Sequence, residues 1–287
     1  MAEETNERNT SIPRGFKSED SAARVEWVKE FTGIEIDNTP EDDPEDLKGI
    51  IENHVGFMKV PMAVVGPMLL DGVYAKGEFS VPLCTIEGTL AMSMNRGILA
   101  SYLCGGTTVR HFRQELSRAP VFIFDNFDES AKFQSWVEKN KDSIAAAAES
   151  TTNYGKVLRI DQYTVQNYVV LDIVLDTGNA AGQNMVTLAA QVACELIRKE
   201  TGHNYFLESN INSDKKPSVR NMLLGRGHAV AAETVIKNSV MKKVLKVDPD
   251  VLFKAWPYYS TISSMAGIHG NGIHESNALT AIYLATG

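Results

Sequence analysis

Glu87 sits in a stretch that is otherwise among the least polar of the chain. Between Pro82 and Thr108, Leu90, Met94, Ile98 and Tyr102 recur at helical spacing, with Ala91, Ala100 and Ser101 among them. A helix that is apolar nearly all round belongs inside a protein. A carboxylate there, with Asn95 and Arg96 beside it, costs free energy unless it is paired or used. One reading is a carboxylate favoured by the helix dipole, next to an ordinary buried salt bridge. The other is a proton donor, since perturbed acids collect at active sites. Three more stretches could carry chemistry. Lys215-Lys216 precede Pro217; such lysines are usually solvated, but in a closed, partly dry site a lysine stabilises a developing oxyanion. The turn Asp176 to Val186 places Gly178 and Gly182 before a helix. It is either a plain turn or a helix N-terminus open to a phosphate. His274 and Asn277 stand three apart on a helix face after a glycine-rich loop, a setting that favours ligand contact over a purely structural histidine.

The elements that must position these groups are read from periodicity. Residues 85–104 are the predicted central helix, with Thr85 as its cap, Glu87 in its first turn and Gly105-Gly106 at its end. Ser18 to Phe31 reads as an amphipathic helix stopped at Gly33, and residues 47–54 as a short second helix. Residues 55–67 are extended, and 69–83 form a hairpin through Asp71-Gly72. From Pro120 the pattern is strand 121–124, helix 130–150, strands 155–163 and 166–175, helix 180–200 and strand 205–209. In the second helix Met185, Leu188, Ala189, Val192 and Leu196 should face inward. That β-α-β-β-α-β order is the ferredoxin-like split βαβ arrangement. A strand over 224–236 and a short helix over 238–246 come after it.

Composition narrows the function classes. The 287 residues are 44% apolar and 22% charged, with a net charge of −8, ordinary for a globular protein and adverse to nucleic-acid binding. Tyr163 and Tyr168 could stack bases on a sheet, but Arg159 is almost the only cation near them. No apolar run reaches the ~18–20 residues of a membrane span. The acidic N-terminus is no signal peptide, and residues 1–20 read as disordered. Cys84, Cys104 and Cys194 lack metal-ligand spacing and suit reduced core cysteines of a cytoplasmic protein. No metal site is expected.

The phrases themselves resemble a family. Glu87-Gly-Thr-Leu-Ala-Met-Ser93-Met-Asn-Arg-Gly, then Gly105-Gly106 and Ser117-Arg118-Ala-Pro, resemble the catalytic core of 3-hydroxy-3-methylglutaryl-CoA (HMG-CoA) reductases. So do Glu52-Asn53-x-x-Gly-x-Met-x-x-Pro-x-x-x-x-Gly-Pro, Asp214-Lys-Lys-Pro217 and the turn 179–186. The similarity runs from about Glu52 to Gly287 and looks most like the soluble, archaeal-type enzymes. It implies an α+β fold: a large helix-centred domain with an inserted ferredoxin-like (βαββαβ) small domain. Residues 21–118 and 211–287 would form the large CoA-thioester domain, C-terminally incomplete, and 119–210 the small NADP-binding domain. The implied reaction reduces HMG-CoA, or a related CoA thioester, to mevalonate and CoA with two NADPH, through a hemithioacetal. Glu87 would donate a proton and Lys215 would stabilise the oxyanion. Asn53, Ser93, Arg118, Asn210, Lys216, His274 and Asn277 would contact the substrate. Asn179, Ala181, Gly182, Gln183, Asn184 and Met185 would hold NADP(H). Asn53 matches an interface position, which implies a homodimer or higher oligomer.

Departures from the family pattern matter as well. Its leading cofactor Asp is Asn179 here and its first Met is Ala181. The family continues past Gly287 with a Gln-Asp that supplies a third catalytic residue, and later with a His that protonates the CoA thiolate. A family Lys that binds the substrate carboxylate has no counterpart near Tyr258-Tyr259, a loss on the order of 1.5–3 kcal/mol. The alternatives are therefore a reductase whose chain is truncated, a shortened relative that works through a partner chain, and a catalytically impaired reductase fold that binds NADP or a CoA thioester.

Overall fold

The computed structural model describes residues 12–35, 44–268, 272 and 275–287. Chain contacts divide it into two units, Met1–Ala63 with Pro82–Gly88 and Ala281–Gly287, and Val64–Val81 with Thr89–Thr280.

In the first unit, helix α1 spans Ser18–Thr32 and is closed by Gly33, whose N–H bonds the Lys29 carbonyl at 2.8 Å in the left-handed conformation that glycine favours. Its inner face is not the apolar stripe that the sequence suggests. The buried residues are Ser21 and Arg24. Arg24 donates to the carbonyls of His54 at 2.7 Å and Gly15 at 3.0 Å, so a guanidinium rather than a hydrocarbon face fixes the helix. Of the stretch expected to be disordered, residues 1–11 lie outside the described residues, and the carbonyls of Pro13 and Gly15 accept from Arg24. The helix expected over 47–54 is instead a single 3-10 turn, Pro44–Leu47. Gly49 and Asn53 both take positive φ, which breaks the helical path.

Strands β1 (Met62–Asp71) and β2 (Lys76–Cys84) are sheet neighbours joined by the expected turn, in which the Gly72 N–H reaches the Ala75 carbonyl at 2.9 Å. Helix α2 covers Leu90–Tyr102, five residues later than predicted. Thr85 does not cap it: its hydroxyl accepts the Glu87 N–H at 2.9 Å, so Glu87 lies in a tight turn ahead of the helix rather than in its first turn. The local serine/threonine turn competes successfully with the helix for those backbone groups. Nor is α2 buried all round. Leu90, Ala100 and Ser101 are buried, while Met92 and Leu99 are 72% and 49% exposed.

Strand β3 (Thr107–Arg118) links the sheet's two halves. It runs parallel to β1 at Leu70 and Asp71. Strands β4 (Val121–Ile123), β5 (Lys156–Val165), β6 (Tyr168–Asp176) and β7 (Tyr205–Phe206) come next, with helices α3 (Phe127–Glu149) and α4 (Gln183–Thr201) between them. The antiparallel order is β7-β4-β6-β5. The last three residues of β3 pair with β6, Arg118 opposite Ile173. Earlier residues of β3 pair with β8 (Gly227–Glu233). The whole is a mixed α/β fold with a mixed sheet.

One hydrophobic core lies between this sheet and α3–α4. Phe133, Val137 and Ile144 meet Leu171, Ile173 and Leu175 there. Helix α4 turns a different face inward than its large residues suggest: Val186, Ala189, Ala190, Ala193, Cys194 and Ile197 are buried, whereas Leu188 is exposed. Small side chains allow the close approach that helix packing rewards, and they outweigh the larger residues in choosing the face. Beyond this core come α5 (Val219–Leu224), the predicted short helix as α6 (Asn238–Val240) with a π turn to Leu245, α7 (Pro249–Met265) and α8 (Glu275–Thr286).

Candidate active site

Arg118 ends β3, and its position is set by that strand. Pairing with β6 puts its backbone beside Ile173, and its side chain is 10% exposed. Nη1 pairs with Glu208 Oε2 at 2.5 Å and Nη2 donates to Thr187 on α4 at 2.9 Å. Asn212, fully buried, donates to the Ser117 carbonyl at 2.9 Å and to Glu208 at 3.2 Å, which pins the segment after β7 to the end of β3. The same segment carries Asn210 and Lys216, whose ammonium donates to Asn210 Oδ1 at 2.8 Å. Lys215, next to it, is exposed.

Gln183, the first residue of α4, joins this cluster from the other side. Its amide donates to Asp214 at 3.0 Å and accepts from Arg226 at 2.7 Å, and Arg226 also pairs with Asp214 at 3.0 Å. Arg226 immediately precedes β8, whose Gly227 lies opposite Glu115 of β3. Burial, ahead of the attraction of Asp214, pulls its guanidinium below the usual value. Nearby, Arg220 pairs with Asp172 on β6. Burial pushes the Asp172 carboxyl up, against the hydrogen bond from Ser117 and the charge of Arg220.

The turn before α4 is built for close approach. Thr177 donates to the Ala180 carbonyl at 2.8 Å, and the Gly178 N–H bonds Asp176 at 2.9 Å. Gly182 caps the helix at φ 78°; a Cβ there would stand 2.3 Å from the Thr177 methyl. Asn179, Ala181 and Asn184 are exposed, and Met185 packs on the buried Gly155. An exposed turn of small residues at the start of a 19-residue helix leaves N–H groups open to a dinucleotide phosphate, so these residues fit a nicotinamide cofactor.

The structure thus gathers Arg118, Asn210, Lys216 and Gln183 with Asp214, the first residue of the motif phrase Asp214-Lys-Lys-Pro217, and it adds Glu208, Arg226 and the Asp172–Arg220 pair, which sequence reading did not single out. A signal for one was present: Asp172 interrupts the run Val169 to Leu175. Ser93 is half-buried on α2, and Asn277 is exposed on α8. Glu87 and Asn53 are exposed and belong to the first unit. His274 lies outside the described residues. Among the described residues no group of three or more His, Cys, Asp or Glu could hold a metal ion.

Comparison with known proteins places the chain in a family. The family model for hydroxymethylglutaryl-coenzyme A reductase matches residues 20–287. The chain belongs to that family. Its similarity to the 3-hydroxy-3-methylglutaryl-coenzyme A reductase of Methanothermobacter thermautotrophicus is 36% identity over 93% of this chain and 70% of the relative. To that of Pyrococcus horikoshii it is 37% over 85% and 60%. The chain therefore spans about two thirds of the length of these reductases. A class II reductase of Streptococcus pneumoniae bound to NADPH gives a TM-score of 0.49 at 17% identity, over 56% of this chain and 44% of that one.

Proposed function

We propose that this chain carries the chemistry of its family, the NADPH-dependent four-electron reduction of HMG-CoA to mevalonate and CoA. The observation that carries the proposal is the convergence of Arg118, Asn210 and Lys216 with the start of α4. It sets groups suited to an acyl carboxylate beside a turn suited to a dinucleotide. Bound there, NADPH supplies the hydrides. Arg118 and Lys216 bind the acid end of the acyl group, and Asn210 orients Lys216. Lys215 stabilises the oxyanion that forms when the thioester carbonyl is reduced, and Glu87 supplies a proton to that oxygen. Ser93, Asn53, His274 and Asn277 contact the CoA thioester. Asn179, Ala181, Gly182, Gln183, Asn184 and Met185 line the cofactor.

Residues 119–210 form the small ferredoxin-like NADP(H) domain, and 21–118 with 211–287 the large domain. The strand order β7-β4-β6-β5 with two crossover helices supports this division. The protein acts as a homodimer or higher oligomer. The exposed apolar side chains of α2, α7 and β8, among them Met92, Phe253 and Val230, support an assembly that covers them. No described helix is long and apolar enough to cross a membrane. Free Cys84, Cys104 and Cys194 support a reducing, cytoplasmic setting.

The test is NADPH oxidation by the purified chain with HMG-CoA, beside Lys215→Ala. Turnover is expected and the variant should abolish it. A folded chain that binds NADPH or a CoA thioester without turnover would instead support the binding-only alternative.

A further inference from the structure

Arg118 already holds a carboxylate. Glu208 Oε2 pairs with its Nη1, Thr187 takes Nη2, and Nε has no hydrogen-bond partner among the described residues. The guanidiniums of Arg118, Arg220 and Arg226 are matched by three carboxylates, Glu208, Asp172 and Asp214. These three pairs are therefore charge-balanced as they stand, and the ammonium groups of Lys215 and Lys216 beside them are exposed to water. A further anion beside Arg118 would leave an uncompensated charge in a partly desolvated place, which is costly. An anion can enter cheaply only by exchange.

Glu208 is the carboxylate able to leave. The Asp172 side chain is 0% exposed and paired with Arg220. Asp214 is held by both Gln183 and Arg226. The Glu208 side chain is 32% exposed, on the irregular segment after β7, so rotation of its own side chain carries it to water. The groups it leaves are the Nη1 of the Arg118 guanidinium and the Asn212 amide, donors suited to another carboxylate.

We propose that Glu208 occupies the place of the ligand's carboxylate and must be displaced when the acid end of an acyl group binds to Arg118. Glu208 thereby sets an affinity penalty on carboxylate-bearing acyl groups and none on acyl groups without one. This rests on the reading of Arg118 as a substrate-binding residue. One carboxylate replaces another, so the cluster keeps its charge balance, and the penalty is the loss of the Glu208 contacts with Arg118, Asn212 and the Asn210 N–H.

The test is calorimetric binding of 3-hydroxy-3-methylglutarate and of acetyl-CoA to the full chain, to Glu208→Gln and to Glu208→Ser, with thermal unfolding of each. Both variants should bind the diacid about tenfold more tightly, the expectation for removing one partly exposed competing charge. Acetyl-CoA affinity should not change. A purely structural Glu208 predicts the opposite sign, because its removal would loosen Arg118 and weaken the diacid. Equal diacid affinity in all three proteins overturns the role of Glu208 and leaves the substrate site standing. Absence of diacid binding in all three overturns both. Unfolded variants would mean that Glu208 is structural and cannot be exchanged, which also overturns the proposal.

Discussion

Strand β6 buries every side chain from Val169 to Leu175, whereas helix α2, also predominantly apolar in sequence, leaves Met92 and Leu99 largely in solvent. The difference is cover. On β6 the odd residues Val169, Leu171, Ile173 and Leu175 join the core under α3 and α4. The even face holds Asp172 against Arg220 and Ser117. Strands β4 and β5 flank it on either side. An apolar run becomes interior only where both faces meet other elements, and burial rather than composition is what stabilises it. The comparison also separates two kinds of charge. Asp172 is buried and paired within the strand's own surroundings, while Glu87 is exposed in a turn ahead of α2.

The largest effect should come from the covered region. Phe133→Ala opens a cavity beneath β6 and should cost about 3–5 kcal/mol in urea unfolding. A loss below about 1 kcal/mol would mean that α3 is not the cover described. Thiol chemistry sharpens the same contrast. Burial pushes the Cys194 thiol up to about 12, so it stays protonated, while Cys84 and Cys104 are only half-buried. Native-state labelling of Cys194 should lag the other two by about a hundredfold, because the thiolate is the reactive form. Comparable rates would place α4 outside a stable core.

A third prediction uses the charge inside β6. The folded pKa of Asp172 is raised by burial above 3.8. The folded state therefore binds more proton than the unfolded state between those two values, and stability falls as pH rises through that window. Relative to Asp172→Asn, the wild type should lose unfolding free energy as pH climbs from 3.8 through the raised value. A parallel pH profile for the two proteins would remove burial as the controlling cause. The smallest effect belongs to α2: Met92→Ala should change stability of the isolated chain by less than about 0.5 kcal/mol. A larger loss would show that α2 is covered in solution.

Much of this was legible in the sequence. The alternation of strands and helices after Pro120 announces its own order, because period 2 and period 3.6 are written by which residues each element must bury. The motif phrases point to Arg118, Asn210, Lys216 and Gln183, and the structure brings these together. Other signals misled. Leu188 and Leu196 stand out on α4, yet Ala189, Ala190 and Ala193 choose its face. Thr85 looked like a cap and instead closes a turn on Glu87. Asp248-Pro249 is a helix start, and Asp248 caps α7 there, though Pro257 within the same helix obscures it.

What the sequence determined by itself is the order of strands and helices after Pro120, the family and the identity of the chemical groups, since these depend on neighbours along the chain. Tertiary structure alone decided the partners. Glu208 lies 90 residues from Arg118, and Arg226 lies 43 from Gln183. Which carboxylate meets which guanidinium depends on where β3 ends against β6 and where the segment after β7 returns. Those distances are set by strand pairing and core packing, and no local period records them.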